Sequence, residues 1–172
     1  MIEITTPRLT IRDHISEDLS HWHRLFSDRQ NMRFVEQLQC HTIEGSRARL
    51  QSAIDAIHAV PRVKYFFAME LMQTGEFIGA IGFMTEPIED GLLGGIGWFL
   101  LPERQGQGYA AEAFAALIPR MFGGWGVTVI DAGCNAANPA SERVMLKCGM
   151  KLVRKYDDRL QYQLTKKDWE NS

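Results

Sequence analysis

Trp98-Phe99-Leu100-Leu101-Pro102-Glu103-Arg104-Gln105-Gly106-Gln107-Gly108-Tyr109-Ala110 is the stretch on which the reading of this chain turns. An apolar run, Gly95 to Leu101, gives way to a loop with two glycines, and the loop runs directly into Tyr109 to Met121. There Ala110, Ala111, Phe114, Leu117, Ile118 and Met121 recur at helical spacing, and Gly123-Gly124 ends the pattern. Glycine lets main chain approach an anion closely and lets successive N–H groups converge. The first turn of a helix adds unpaired N–H donors and a partial positive charge. Together these suit a phosphate or pyrophosphate. The same composition also suits an ordinary strand-to-helix turn, so the loop alone leaves both readings open.

Upstream, Leu9 and Ile11 alternate with Arg8, Thr10 and Arg12, the pattern of a strand over Arg8 to Asp13. Ser16-Glu17-Asp18 starts a helix, with acidic residues where the dipole favours them and Leu19, Trp22 and Leu25 or Phe26 turned inward. Thr42 caps a second helix whose Leu50, Ile54 and Ile57 repeat at helical spacing. Lys64 to Leu71 and Glu76 to Met84 read as a hairpin, which Gly95 to Leu101 extends across the Glu-Asp-Gly turn at 89–91. Downstream, Val127 to Cys134 is a strand, and Asn138-Pro139 opens a short helix that Gly149 closes. Lys151 to Tyr156 and Leu160 to Leu164 are strands turning at Asp157-Asp158. This order predicts one α/β domain over residues 1–172, with a mixed, mostly antiparallel sheet flanked by helices. Most of the early strands are joined by short hairpins, which argues against purely parallel winding.

Composition narrows the function classes. The 172 residues carry a formal net charge of −2, which argues against broad capture of nucleic acid or of an anionic membrane. No apolar run approaches a membrane span, and Met-Ile-Glu-Ile-Thr-Thr-Pro-Arg lacks the basic-then-apolar pattern of a signal peptide. Cys40, Cys134 and Cys148 are odd in number and show no metal-ligand spacing, which suits reduced thiols. The expectation is a cytoplasmic protein without a metal, monomeric or homodimeric.

Two phosphate-binding readings compete for the loop. Gly106-x-Gly108-x-x-Ala111 matches the dinucleotide fingerprint, and Asp131 stands 25 residues after Gly106, near where a ribose-binding acid belongs. Against it, Pro102 to Gly106 intervene between the strand and the turn, whereas the dinucleotide turn follows its strand almost at once. Only 41 residues follow Asp131, too few for the rest of a doubly wound sheet.

The other reading is a resemblance. Gln105-x-x-Gly108-x-Ala110 resembles the pyrophosphate loop of the GNAT superfamily of N-acetyltransferases, usually Gln/Arg-x-x-Gly-x-Gly/Ala. Gly97-Trp98, the Pro102 turn, Tyr109 and Glu112-Ala113 are similar to the branch of ribosomal-protein alanine and serine N-terminal acetyltransferases. So are Thr6-Pro7-Arg8-Leu9 with Arg12, Gly75 to Gly82 in the hairpin, and Asn138-x-x-Ser141 followed by Lys147-x-Gly149-Met150. The likeness covers nearly the whole chain in ordered blocks.

The resemblance implies acetyl-CoA as co-substrate and no metal. It assigns Gln105, Gly106, Gln107, Gly108, Tyr109 and Ala110 to the pyrophosphate, and Phe99, Leu100 and Leu101 to the pantetheine amides. The strands ending at Leu101 and Cys134 would splay into a V, with Asn138 on the pantetheine arm and Ser141 near the sulfur. Direct attack on the thioester needs a neutral amine, donors for the oxyanion and a proton for the thiolate. An N–H near Leu100 or Leu101 is the expected oxyanion donor. Two familiar groups are missing: Met145 stands where relatives place a tyrosine acid, and Gly95 where they often place a glutamate base. Ser141 is then the proton donor to sulfur unless it only caps its helix, and Asp131 is the base carried forward. Glu70, His21 and His23 are other base candidates, any of them acting through water. Cys134, with no histidine near it in sequence, is expected to be inert. The implied acceptor is a protein N-terminal α-amine, with a polyamine or aminoglycoside-like amine as the alternative. A non-catalytic acyl-CoA-binding module is the reading from another class.

Overall fold

The computed structural model describes residues 1–171. Its strands are β1 (Glu3–Thr5), β2 (Leu9–Asp13), β3 (Lys64–Leu71), β4 (Phe77–Ile88), β5 (Gly91–Leu100), β6 (Val127–Asn135), β7 (Lys151–Lys155) and β8 (Arg159–Thr165). Its helices are α1 (Leu19–Ser27), α2 (Ile43–Asp55), α3 (Tyr109–Gly123), α4 (Pro139–Lys147) and α5 (Lys166–Glu170). The strands form one sheet in the order β1-β2-β3-β4-β5-β6-β8-β7. Every neighbouring pair is antiparallel except β5 and β6, which run parallel because α3 crosses between them. The mixed, mostly antiparallel sheet expected from the sequence is therefore the observed one.

Side chains alternate across the sheet and build two cores. On one face Phe67, Phe83, Ile96, Leu100 and Ala132 pack with Phe114, Leu117 and Met121 of α3 and Met145 of α4. On the other, Ala68, Phe77 and Ala80 pack with Trp22, Leu25 and Phe26 of α1 and Leu50 and Ala53 of α2. The chain differs from its sequence reading at the margins. α1 begins at Leu19 after a 3-10 turn over Ser16–Asp18, and α2 buries Ser46, Leu50 and Ala53 while Ile57 falls in a following 3-10 turn. β1, three residues long, and α5, five residues long, are too short to leave a periodic signal. No helix among the described residues is long and apolar enough to cross a membrane.

Candidate active site

β5 and β6 pair only from Leu92↔Val127 to Gly95↔Asp131. Beyond that point they part, although β5 stays bonded to β4 as far as Gly79↔Leu100 and β6 to β8 as far as Asn135↔Arg159. Each arm of the V is thus braced on its outer side and open on its inner one. Leu101 N–H donates to Ile78 O at 2.9 Å. Antiparallel alternation then turns the N–H groups of Leu100 and Trp98 away from β4, towards the gap. Of the two oxyanion donors suggested by the sequence, Leu101 is already committed and buried, which leaves Leu100. A cavity of about 580 Å³ occupies the V, lined by Trp98, Phe99 and Leu100, by Gly133, Cys134 and Asn135, and by residues of the glycine loop and α4.

The loop is built to present main-chain donors. Gly106 and Gly108 have φ of +74° and +83°, left-handed conformations that favour glycine. Among the described residues no protein acceptor pairs with the N–H groups of Gly106, Gln107, Gly108, Tyr109, Ala110 or Ala111; the first helical bond of α3 runs from Glu112 N–H to Gly108 O at 3.0 Å. The loop is braced from behind. Arg8 donates to Gln107 O at 3.0 Å and to Glu112 Oε2 at 2.6 Å, and Thr6 donates to Glu112 Oε1 at 2.6 Å. Burial pushes the Glu112 carboxyl up, but the bonds from Thr6 and Arg8 outweigh it and hold the group below the ordinary glutamate range. Thr6-Pro7-Arg8 is therefore a strut for the loop. Gln105 Nε2 reaches Leu100 O at 3.1 Å and Asn31 Oδ1 at 2.8 Å, tying the loop to the chain after α1. Gln105, Gly106, Gly108 and Ala110 line the cavity; Gln107 turns out to Glu103 O, and the Tyr109 ring is buried under Arg8.

At the other wall Asn138 caps α4: its Oδ1 accepts from Ser141 N–H at 3.3 Å, and its Nδ2 donates to Ser141 Oγ at 3.1 Å. The cap is Asn138, and the Ser141 hydroxyl accepts one bond while keeping its proton free to donate into the cavity it lines. Met145 is fully buried in the core, so the side of α4 that meets the gap presents Ser141 and Val144 instead. Tyr162 does not line the cavity: its hydroxyl donates to Glu142 Oε1 at 2.6 Å, which pushes its pKa up to about 12 and commits its proton. Cys134 lines the cavity, and burial pushes its thiol up, which disfavours the nucleophilic thiolate.

The candidate bases separate. His21 stacks on Phe77, His23 bonds Ser46 at 2.8 Å, and Glu70 is ion-paired with Arg12; none of them lines the cavity. Asp131 stands just beyond the cavity lining, in an adjoining pocket with Gly133, Tyr156 and Arg159. Its Oδ1 accepts from Gln161 Nε2 and Gln163 Nε2, each at 2.9 Å. Sequence reasoning missed Asn31, Arg33 and Phe34, which line the cavity from the segment after α1, and Arg159, which lines it from the first position of β8. Nothing local marks them beyond being polar or aromatic residues in a connecting segment or at a strand end.

Residues 8–151 match the family described as an acetyltransferase (GNAT) domain. The fold is similar to that of a GNAT-family acetyltransferase from Bacillus anthracis, with a TM-score of 0.82 and 24% identity over 96% of this chain and 99% of that one. It is similar to a ribosomal-protein-S5-alanine acetyltransferase from Vibrio fischeri, with a TM-score of 0.78 and 20% identity over 98% and 99%. It is also similar to a spermidine N-acetyltransferase from Vibrio cholerae, solved with CoA and spermine, with a TM-score of 0.80 and 18% identity over 96% and 100%.

Proposed function

The chain belongs to the acetyltransferase (GNAT) domain family and is accordingly an N-acetyltransferase; we propose that it moves the acetyl group of acetyl-CoA directly to a primary amine, above all a protein N-terminal α-amine. The observation that carries this reading is the run of six N–H groups, Gly106 to Ala111, without protein acceptors at the mouth of the splayed strands. Such a run suits a pyrophosphate. Gln105 to Ala110 are the cradle, and the inward main chain of Trp98 and Leu100 offers an open strand edge to the pantetheine amides. Asn138 retains one Nδ2 hydrogen and one Oδ1 lone pair for the same arm.

Chemistry falls to few groups. Leu100 N–H is the donor to the oxygen on which charge develops, a role in which a fixed main-chain dipole needs no reorganisation. Ser141 Oγ–H hydrogen-bonds the departing sulfur and relays to it the proton that the attacking nitrogen sheds, so that the hydroxyl is restored and the thiolate leaves as thiol. Asp131, its Oδ2 without a hydrogen-bond partner among the described residues, takes a proton from the amine through water.

Gly108→Val tests the cradle. Its φ of +83° is one that L side chains rarely adopt, and a Cβ there would stand 3.5 Å from the Arg8 guanidinium. The variant should bind acetyl-CoA at least about tenfold more weakly, or ~1.4 kcal/mol, in calorimetric titration of folded protein. NAD should give no binding heat with the wild type. Unchanged affinity in Gly108→Val removes the loop from the site, and NAD binding without coenzyme A binding reverses the reading.

A further inference from the structure

We propose that the acceptor carries an anionic group close to its amine, and that Arg33 and Arg159 read that group. This rests on the amine-acetylating function above and narrows its acceptor.

The sheet gives the cavity two sides. Ile96, Leu100, Ala132 and Cys134 pack towards α3 and α4, so Gly95, Gly97, Asp131 and Gly133 look to the opposite face. Phe99 shares that opposite face with Phe26 and Val35 of the other core. The cradle and the α4 cations, Arg143 and Lys147, belong to the first side. Arg33 and Arg159 belong to the second. Arg33 lies in the segment after α1, its guanidinium 4.6 Å from the Phe34 ring centre. Arg159 is the residue paired with Asn135, and its guanidinium would stand 3.9 Å from a Cβ added at Gly133. The four cations line one cavity, and among the described residues no aspartate or glutamate lines it.

The charges are also unspent. Arg8, Arg12, Arg24, Arg62 and Arg104 all have carboxylate partners. Among the described residues neither Arg33 nor Arg159 has one, and the Arg33 guanidinium bonds only Gln30 O, at 2.8 Å. Unpaired guanidinium groups at a mouth raise the local concentration of anions and repel a polycation. Asp131 in the adjoining pocket gives the same face one carboxylate for an ammonium group. A face with one such carboxylate and two free guanidinium groups matches an amine flanked by negative charge. A polyamine would meet repulsion there.

Thiol release from acetyl-CoA decides this with four acceptors: a Ser-Asp-Asp-Glu peptide, its Ser-Lys-Lys-Lys counterpart, glucosamine 6-phosphate and spermidine. The acidic peptide should exceed the lysine peptide in kcat/KM by about tenfold or more. The preference should shrink in the Arg33→Gln/Arg159→Gln double variant, with acetyl-CoA affinity held, and at an ionic strength of about 0.5 M. Faster use of glucosamine 6-phosphate than of the acidic peptide supports the proposal and assigns the anionic acceptor to a small molecule. Wild-type protein that uses spermidine or the lysine peptide as well as the acidic acceptors overturns it while leaving amine acetylation standing. A preference that survives both substitutions also overturns the assignment to Arg33 and Arg159. No thiol release with any acceptor overturns the underlying function and this proposal with it.

Discussion

Ser141→Ala should lower turnover by about 10²-fold while acetyl-CoA affinity and melting temperature stay near their wild-type values. The geometry separates a chemical role from a structural one. α4 is capped through Ser141's backbone N–H, which alanine retains, so the bond to Asn138 Oδ1 survives the substitution. What is lost is a hydroxyl that accepts from Asn138 Nδ2, on a residue that lines the cavity. In the proposed role the hydroxyl proton matters only once negative charge gathers on sulfur, so its loss should fall on turnover and spare ground-state binding. Steady-state rates, calorimetric affinity and a melting curve from one preparation are the readout. Full turnover with a lowered melting temperature would return Ser141 to a structural role and leave bulk water as the proton source.

The other large effect is on stability. Arg12→Leu should destabilise the fold by about 3–5 kcal/mol at pH 7, because it strands a buried carboxylate. Asp18 is 2% exposed and is held by both Arg12 guanidinium nitrogens, at 2.7 and 3.0 Å, by His14 Nδ1 at 2.9 Å and by Ile15 N–H at 3.1 Å. Burial pushes Asp18 up, but the bonds from His14 and Arg12 outweigh it and hold the carboxyl well below the ordinary aspartate range. A depressed folded pKa contributes stability that is complete above the unfolded value and is lost as pH falls through the folded one. The gap between wild type and Arg12→Leu should therefore be widest at neutral pH and narrow below about pH 4. Urea unfolding at pH 7 and pH 3 measures it. A gap of the same size at both would show that packing of the arginine stem, and not its charge, is what the network supplies. The network binds β2 to the start of α1 and to β3, and its residues do not line the cavity.

The glycine loop and the start of α3 were legible before the structure because their signals are local. Glycine punctuation and the 3.6-residue apolar period place Gly106, Gly108 and the start of α3 within a residue or two of where they lie. Asn138-Pro139 does the same for α4. The splay between β5 and β6 was reached through family likeness alone, since nothing in either strand announces that pairing stops after Gly95↔Asp131. The side of the cavity formed by Arg33 and Arg159 was not legible. Arg33 and Arg159 are about 125 positions apart in the chain and reach one cavity only because β6 lies between β5 and β8. Asp131 shows the limit from the other direction. Its strand periodicity gives the face it occupies, but not that Gln161 and Gln163 on β8 would both bond its Oδ1. Met145 shows it again: alignment placed it where a phenol would act, and the helix turns it into the core.

Transfer itself is tested most directly by following free thiol and acetylated amine together, with wild-type protein, acetyl-CoA and an acid-flanked serine peptide. Thiol and N-acetyl peptide should appear in equal amounts, with rate proportional to protein concentration. Acetyl-CoA that binds and yet yields no acetylated amine from the peptide, from glucosamine 6-phosphate or from spermidine would contradict this, and leave an acyl-CoA-binding module in place of an enzyme.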